Sequence, residues 1–151
     1  MTLAVRLAAG TASLSIEFGS VLMKLTNPRL LITDDDRAFR ETLGSALDRF
    51  GFELHLASDG DEALEVVRSH EVHLALFDVH MPRLSGLDAL AQMRAAGLVL
   101  PCILMSAAMD DEIRARASEM DVVSIMTKPF KLRELSGVVV QTLSSRYDWV
   151  A

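Results

Sequence analysis

Residues 30–36 read Leu30-Leu31-Ile32-Thr33-Asp34-Asp35-Asp36, a short apolar run broken off by three consecutive acids. The pattern returns at Val72–Phe77, which stops at Asp78, and at Val99–Met105, which stops at Ser106. Such nearly continuous apolar runs read as strands covered on both faces, as in a parallel sheet. Between them the period changes. After Asp36, Phe39, Leu43, Ala46, Leu47 and Phe50 fall at i, i+4, i+7, i+8 and i+11, one stripe of a helix closed by Gly51. Residues 52–57 alternate like a strand with one better-covered face. Ser58-Asp59-Gly60 then opens a helix through Ala63, Leu64 and Val67. Leu87, Leu90 and Ala91 mark a third helix stopped by Gly97, and Ile113, Ala117 and Met120 a fourth over residues 110–120. Residues 122–126 make a fifth strand, and Leu132, Leu135, Val138, Val139 and Leu143 a last helix. Five strand–helix alternations joined by right-handed crossovers predict a three-layer α/β sandwich around one five-stranded parallel sheet.

The 151 residues suit one domain. Fifteen Lys and Arg against 21 Asp and Glu give a net charge of −6. That balance disfavours broad binding to phosphate backbones or anionic membrane surfaces, so neither nucleic acid nor membrane is an expected partner. A mean hydropathy of +0.28 excludes wholesale disorder. The longest uncharged run, Ala95–Met109, is too short and too broken by Gly97 and Pro101 to span a bilayer. Cys102 is the sole cysteine, which excludes an intrachain disulfide and a cysteine-rich zinc site. It lies in the middle of an apolar strand and reads as a small core residue. Arg6 sits inside the first apolar stretch instead of before it, a poor match to a signal peptide, so a cytoplasmic location is expected. Residues 1–28 carry only Arg6, Glu17 and Lys24 as charges and close on Asn27-Pro28; they read as a leader, with Met23 offering an alternative start. The main domain is then 29–147, and 148–151 form a tail.

In a doubly wound parallel sheet, ligands bind outside the carboxyl ends of the strands. The polar residues that end the apolar runs therefore converge on one rim: Asp34 and Asp35, Asp78, Ser106, and Lys128 after the fifth strand. Three carboxylates brought together repel one another unless a cation joins them, and an oxygen-only donor set suits Mg²⁺ or Mn²⁺ rather than zinc. Lys128 supplies a point charge for a phosphate, and Ser106 a hydroxyl donor. A carboxylate in that company is a competent nucleophile towards phosphorus, giving an aspartyl phosphate. Asp36 reads differently, as the cap of the first helix.

Four segments in order carry a resemblance: Leu31-Ile32-Thr33-Asp34-Asp35-Asp36, Leu76-Phe77-Asp78-Val79-His80-Met81-Pro82 with Gly86, Leu104-Met105-Ser106-Ala107, and Thr127-Lys128-Pro129-Phe130. Over residues 29–147 the chain resembles the receiver domain of bacterial two-component response regulators. The resemblance implies a flavodoxin-like sheet of order 2-1-3-4-5. It implies Asp78 as the phosphoacceptor for a sensor histidine kinase or a phosphotransfer protein in a phosphorelay. Asp35 and Asp78 would ligate Mg²⁺ with the His80 carbonyl, and Asp34 would act mainly through water. Ser106 and Lys128 would contact the phosphoryl oxygens, and Lys128-Pro129 would be cis. With only residues 148–151 beyond the last helix, a stand-alone, non-enzymatic receiver is expected. It would signal through protein contacts, a homodimer included, by the face of the fourth helix, fifth strand and fifth helix.

Four positions depart from the family's pattern. Ile125 stands where an aromatic is usual, Asp121 and Arg83 where glycine is common, and Thr33 where an aliphatic residue ends the first strand. Ile125 keeps open a phosphorylation-independent binding module. An aspartate-nucleophile phosphatase ranks lower, because that chemistry needs an acid two residues after the nucleophile and His80 occupies the position. The four histidines lack metal-site spacing. The His80 side chain overhangs the rim, where it could influence phosphoryl hydrolysis, although surface packing is its simpler reading.

Overall fold

Alternation within the apolar strands sorts their side chains into two layers. The computed structural model describes residues 25–151; the first 24 residues of the expected leader, and the alternative start at Met23, lie outside the described residues. The elements are β1 (Arg29–Thr33), α1 (Arg37–Asp48), β2 (Glu53–Ala57), α2 (Gly60–Ser69) and β3 (Leu74–Asp78), then α3 (Gly86–Ala95), β4 (Cys102–Ser106), α4 (Asp111–Glu119), β5 (Ser124–Thr127) and α5 (Leu132–Tyr147). All pairings are parallel and the sheet order is β2-β1-β3-β4-β5, the flavodoxin-like topology.

Leu31, Ala75, Phe77, Cys102 and Leu104 point into the layer held by α2, α3 and α4. Leu30, Ile32, Leu74, Leu76, Ile103 and Met105 point into the layer held by α1 and α5. Each buried strand feeds both cores, which is why its sequence shows no polar face. Trp149, in the segment read as a tail, is buried against Phe52 at 5.1 Å between ring centroids. Its carbonyl accepts from the Ser144 hydroxyl at 2.7 Å, so this residue belongs to the core.

Four helices begin on side-chain caps: Asp36 accepts from the Phe39 N–H, Asp59 from Glu62, Ser85 from Asp88 and Asp110 from Ile113. The capping role expected of Asp36 is thus present. β3, β4 and β5 start later than the apolar runs suggest. β4 begins at Cys102 and not at Val99, which is 84 % exposed. Pro101 has no N–H for the ladder, and only its carbonyl joins, accepting from Ala75 at 3.0 Å. β3 and β5 likewise begin two residues after the expected positions.

Arg83 and Asp121 adopt left-handed backbone with φ of 66° and 56°. That conformation explains why glycine suits both positions, and this chain accepts the strain with side chains instead. At Arg83 the guanidinium gains Asp59 as a partner at 2.7 Å. Thr33 is fully buried, and its hydroxyl has no partner among the described residues. An unmatched buried hydroxyl is destabilising, so Thr33→Val should raise stability by about 1 kcal/mol, read as a higher urea midpoint at unchanged slope. Among the described residues, no helix is long and apolar enough to cross a membrane.

Candidate functional site

β1 and β3 lie side by side, and the chain leaves them in opposite directions across the sheet. Their carboxyl ends form the switch point of the topology. Carboxylate oxygens of Asp34, Asp35 and Asp78 lie within 4.8 Å of one another there. Asp34 is fully buried, Asp78 is 5 % exposed and Asp35 is exposed. Two sunken acids and one wet acid make an open-mouthed cluster. Beside it, a cleft of about 620 Å³ is lined by Asp35, His80, Met81, Asp110 and Arg116 among others.

Asp34 is held at every polar atom. Its N–H donates to the Ala57 carbonyl at 3.2 Å, and its own carbonyl accepts from Arg40 Nη1 at 2.6 Å. Oδ1 accepts from the Asp36 N–H at 2.9 Å, and Oδ2 accepts from Lys128 Nζ at 2.7 Å. The loop that carries Lys128 is tied to β4 by the Lys128 N–H, which donates to the Ser106 carbonyl at 2.8 Å. The Lys128-Pro129 bond is cis, as expected.

Lys128 Nζ also lies 3.6 Å from Asp78 Oδ1 and 4.2 Å from the centroid of the Phe39 ring. An ammonium has three N–H donors, and here two carboxylates and one π-face surround it. The lysine is a docked charge with little freedom.

Asp78 feels the opposite environment. Burial in the strand end and the neighbouring Asp34 carboxylate push its pKa from 3.8 up to about 6. Lys128 and the His80 N–H, which donates to Oδ1 at 3.4 Å, pull the other way and lose. One lysine does not balance three acids. The donor set is all oxygen, tightly clustered and partly open to water, which fits a hard divalent cation such as Mg²⁺ and suits zinc poorly.

The structure thus brings together Asp34, Asp35, Asp78 and Lys128. Ser106 ends β4 next in the sheet, fully buried. The His80 ring does not simply pack on the surface: Nε2 lies 2.9 Å from Ser106 Oγ and 3.0 Å from the Ala108 carbonyl. Two residues at the site escape a reading of the sequence. Phe39 shows there only as one member of a helical stripe, and Arg40 only as a charge beside it. Nothing in their spacing reports where Lys128 lands.

A family model described as a response regulator receiver domain matches residues 30–140. The response regulator MprA of Mycolicibacterium vanbaalenii is 39% identical over 109 residues, covering 71% of this chain and 46% of that protein. The response regulator MprA of Mycobacterium ulcerans is 40% identical over the same length and with the same coverage. The chain therefore spans about half the length of the curated relatives it matches. Among solved structures, a signal receiver domain of an HD domain-containing protein from Pseudomonas fluorescens Pf-5 aligns with a TM-score of 0.77 at 26% identity, over 82% of this chain and all of that one. A CheY-like receiver domain protein from Methanospirillum hungatei aligns at 0.76 over 80% of this chain and 96% of that one; at 23% identity that likeness shows the fold.

Proposed function

The chain belongs to the response regulator receiver family, whose members are phosphoryl-accepting signalling modules, and from that membership we propose that Asp78 is its phosphoacceptor. The donor is a phosphohistidine on a sensor kinase or phosphotransfer protein. A carboxylate oxygen of Asp78 forms the new P–O bond as the P–N bond breaks, and the bonding pair leaves with the imidazole nitrogen. The observation that carries this reading is the enclosure of Asp78 by two further carboxylates and one docked lysine.

Lys128 neutralises charge on the incoming phosphoryl group and is already aimed at Asp78, so little reorganisation is needed. Ser106 donates to a phosphoryl oxygen. Asp35 and Asp78 would hold Mg²⁺ through their side chains with the His80 carbonyl, and Asp34 through water. When bound, the ion offsets carboxylate repulsion and polarises the phosphoryl oxygens. Arg40 and the Asp36 N–H keep Asp34 in place for this task.

Output passes by protein contact through the face of α4, β5 and α5. β5 supports this assignment as the edge strand, and Ile125 packs half-buried into the α4-side core, where an aliphatic side chain can shift without a hydroxyl to expose. The reading is tested by incubating the protein with acetyl phosphate and Mg²⁺ and following its intact mass. A gain of one phosphoryl group is expected, and its absence would overturn the proposal.

A second expectation concerns the lysine. Lys128→Met removes a cation from the immediate neighbourhood of the carboxylates. Mg²⁺ should then bind more tightly by roughly fivefold, about 1 kcal/mol, the scale of a partly exposed ion pair. Phosphorylation should nonetheless slow, because the docked charge is gone. Calorimetric titration and labelling rates together check both signs; weaker Mg²⁺ binding in the variant contradicts the assignment of Lys128.

A further inference from the structure

Ser106 can help a phosphoryl group only if its hydroxyl proton is available to point at it. Its Oγ accepts from the Ala108 N–H at 3.1 Å. The second neighbour is His80 Nε2 at 2.9 Å, and the same nitrogen lies 3.0 Å from the Ala108 carbonyl. A carbonyl only accepts, so the Nε2–H tautomer is the one that satisfies both contacts, its hydrogen shared between the carbonyl and Oγ. A hydroxyl oxygen has two lone pairs, and both now face N–H donors. The Ser106 proton is the one polar hydrogen in this group without a neighbour in the network.

We infer that His80 is a positioning residue, its Nε2–H fixing the Ser106 hydroxyl as a donor towards the group transferred to Asp78. This rests on the phosphoryl-accepting reading of Asp78. The ring reaches from the loop after β3 to the end of β4 and the loop that follows it, so it joins the segment carrying the acceptor to the strand end carrying the donor. Without it, one lone pair of Oγ opens, the hydroxyl is free to rotate, and the Ala108 carbonyl loses a donor. Side-chain burial does not drive the contact, because His80 is exposed. The two hydrogen bonds hold it.

The role predicts dependence on the serine. Labelling by acetyl phosphate with saturating Mg²⁺ should slow about fivefold in His80→Ala, the scale of one net hydrogen bond. His80→Gln should recover most of that loss, since its amide also donates. In a Ser106→Ala background, His80→Ala should change nothing further, because there is no hydroxyl left to orient. A full additional loss in the double variant, or a Gln variant as slow as Ala, overturns the inference. So does an Nδ1–H tautomer in the ring ¹⁵N shifts of His80, measured well above the ordinary histidine pKa. If the wild type takes no label at all, the phosphoryl-accepting reading falls and this inference falls with it. Labelled protein with additive losses sinks the inference alone.

Discussion

Asp78→Asn is expected to abolish Mg²⁺-dependent labelling by acetyl phosphate and, in the absence of metal near neutral pH, to make the protein more stable. The two effects have one origin. The amide is no nucleophile towards phosphorus, so transfer stops. It also carries no charge, and the charge of Asp78 is what the strand end tolerates least: burial and the Asp34 carboxylate hold its pKa at about 6 against an ordinary 3.8. Labelling that survives the substitution would sink the assignment of the acceptor.

The pH dependence of stability follows with a definite sign. Between about pH 4 and about pH 6 the folded chain keeps a proton on Asp78 that the unfolded chain has released. The folded state then binds more protons than the unfolded one, so this group makes stability fall as pH rises through that window. Above about pH 6 the loss is complete and constant; below about pH 4 it vanishes. Asn has nothing to titrate. Urea midpoints of wild type and Asp78→Asn should therefore converge near pH 4 and separate above pH 6, with the variant higher, provided no divalent cation is present. Added Mg²⁺ should narrow the gap by stabilising the wild type more, since the variant has lost one carboxylate ligand.

A feature is legible in the amino-acid sequence when its signal is local. β1, β3 and β4 announce themselves because strands buried on both faces lack polar residues. Asp34, Asp35, Asp78 and Ser106 are legible for the complementary reason: each ends an apolar run, and a parallel sheet collects such ends on one rim. The start of β4 is not, since hydropathy treats Val99 like Ile103, whereas Pro101 sets where pairing begins. Phe39 has two jobs, packing edge-on against Phe130 at 5.9 Å and presenting a ring face to Lys128. Period reveals only that it belongs to a stripe. His80 stands out through its closeness to Asp78 along the chain, but its partner on β4 is 26 residues away, and only tertiary structure sets that contact.

Gly86→Ala is expected to destabilise the protein by about 3 kcal/mol, the upper range for overpacking by one methyl group, while Gly137→Ala should stabilise it by about 1 kcal/mol. Both glycines lie in helices, so propensity alone favours alanine at each. Space decides otherwise at Gly86. A Cβ there would collide with the Asp78 carbonyl oxygen and would stand 3.0 Å from its carbon and 3.2 Å from Phe77 Cβ. None of these can yield as a flexible side chain would: β3 is buried along its whole length and paired on both sides by β1 and β4. The Gly86 N–H also donates to the Val79 carbonyl at 3.0 Å, which fixes α3 against the strand end. Relief therefore requires α3 to move away or the Asp78 main chain to move in, and the second displaces the acceptor relative to Lys128. Around Gly137 nothing lies within 4 Å, so the added methyl only lowers the entropy of the unfolded chain. Denaturant midpoints of the two variants should move in opposite directions. Labelling by acetyl phosphate at a temperature where both remain folded should fall in Gly86→Ala and hold in Gly137→Ala. A Gly86→Ala protein as stable as the wild type would mean that α3 does not rest on the Asp78 main chain, and that the position of the acceptor is set by the sheet alone.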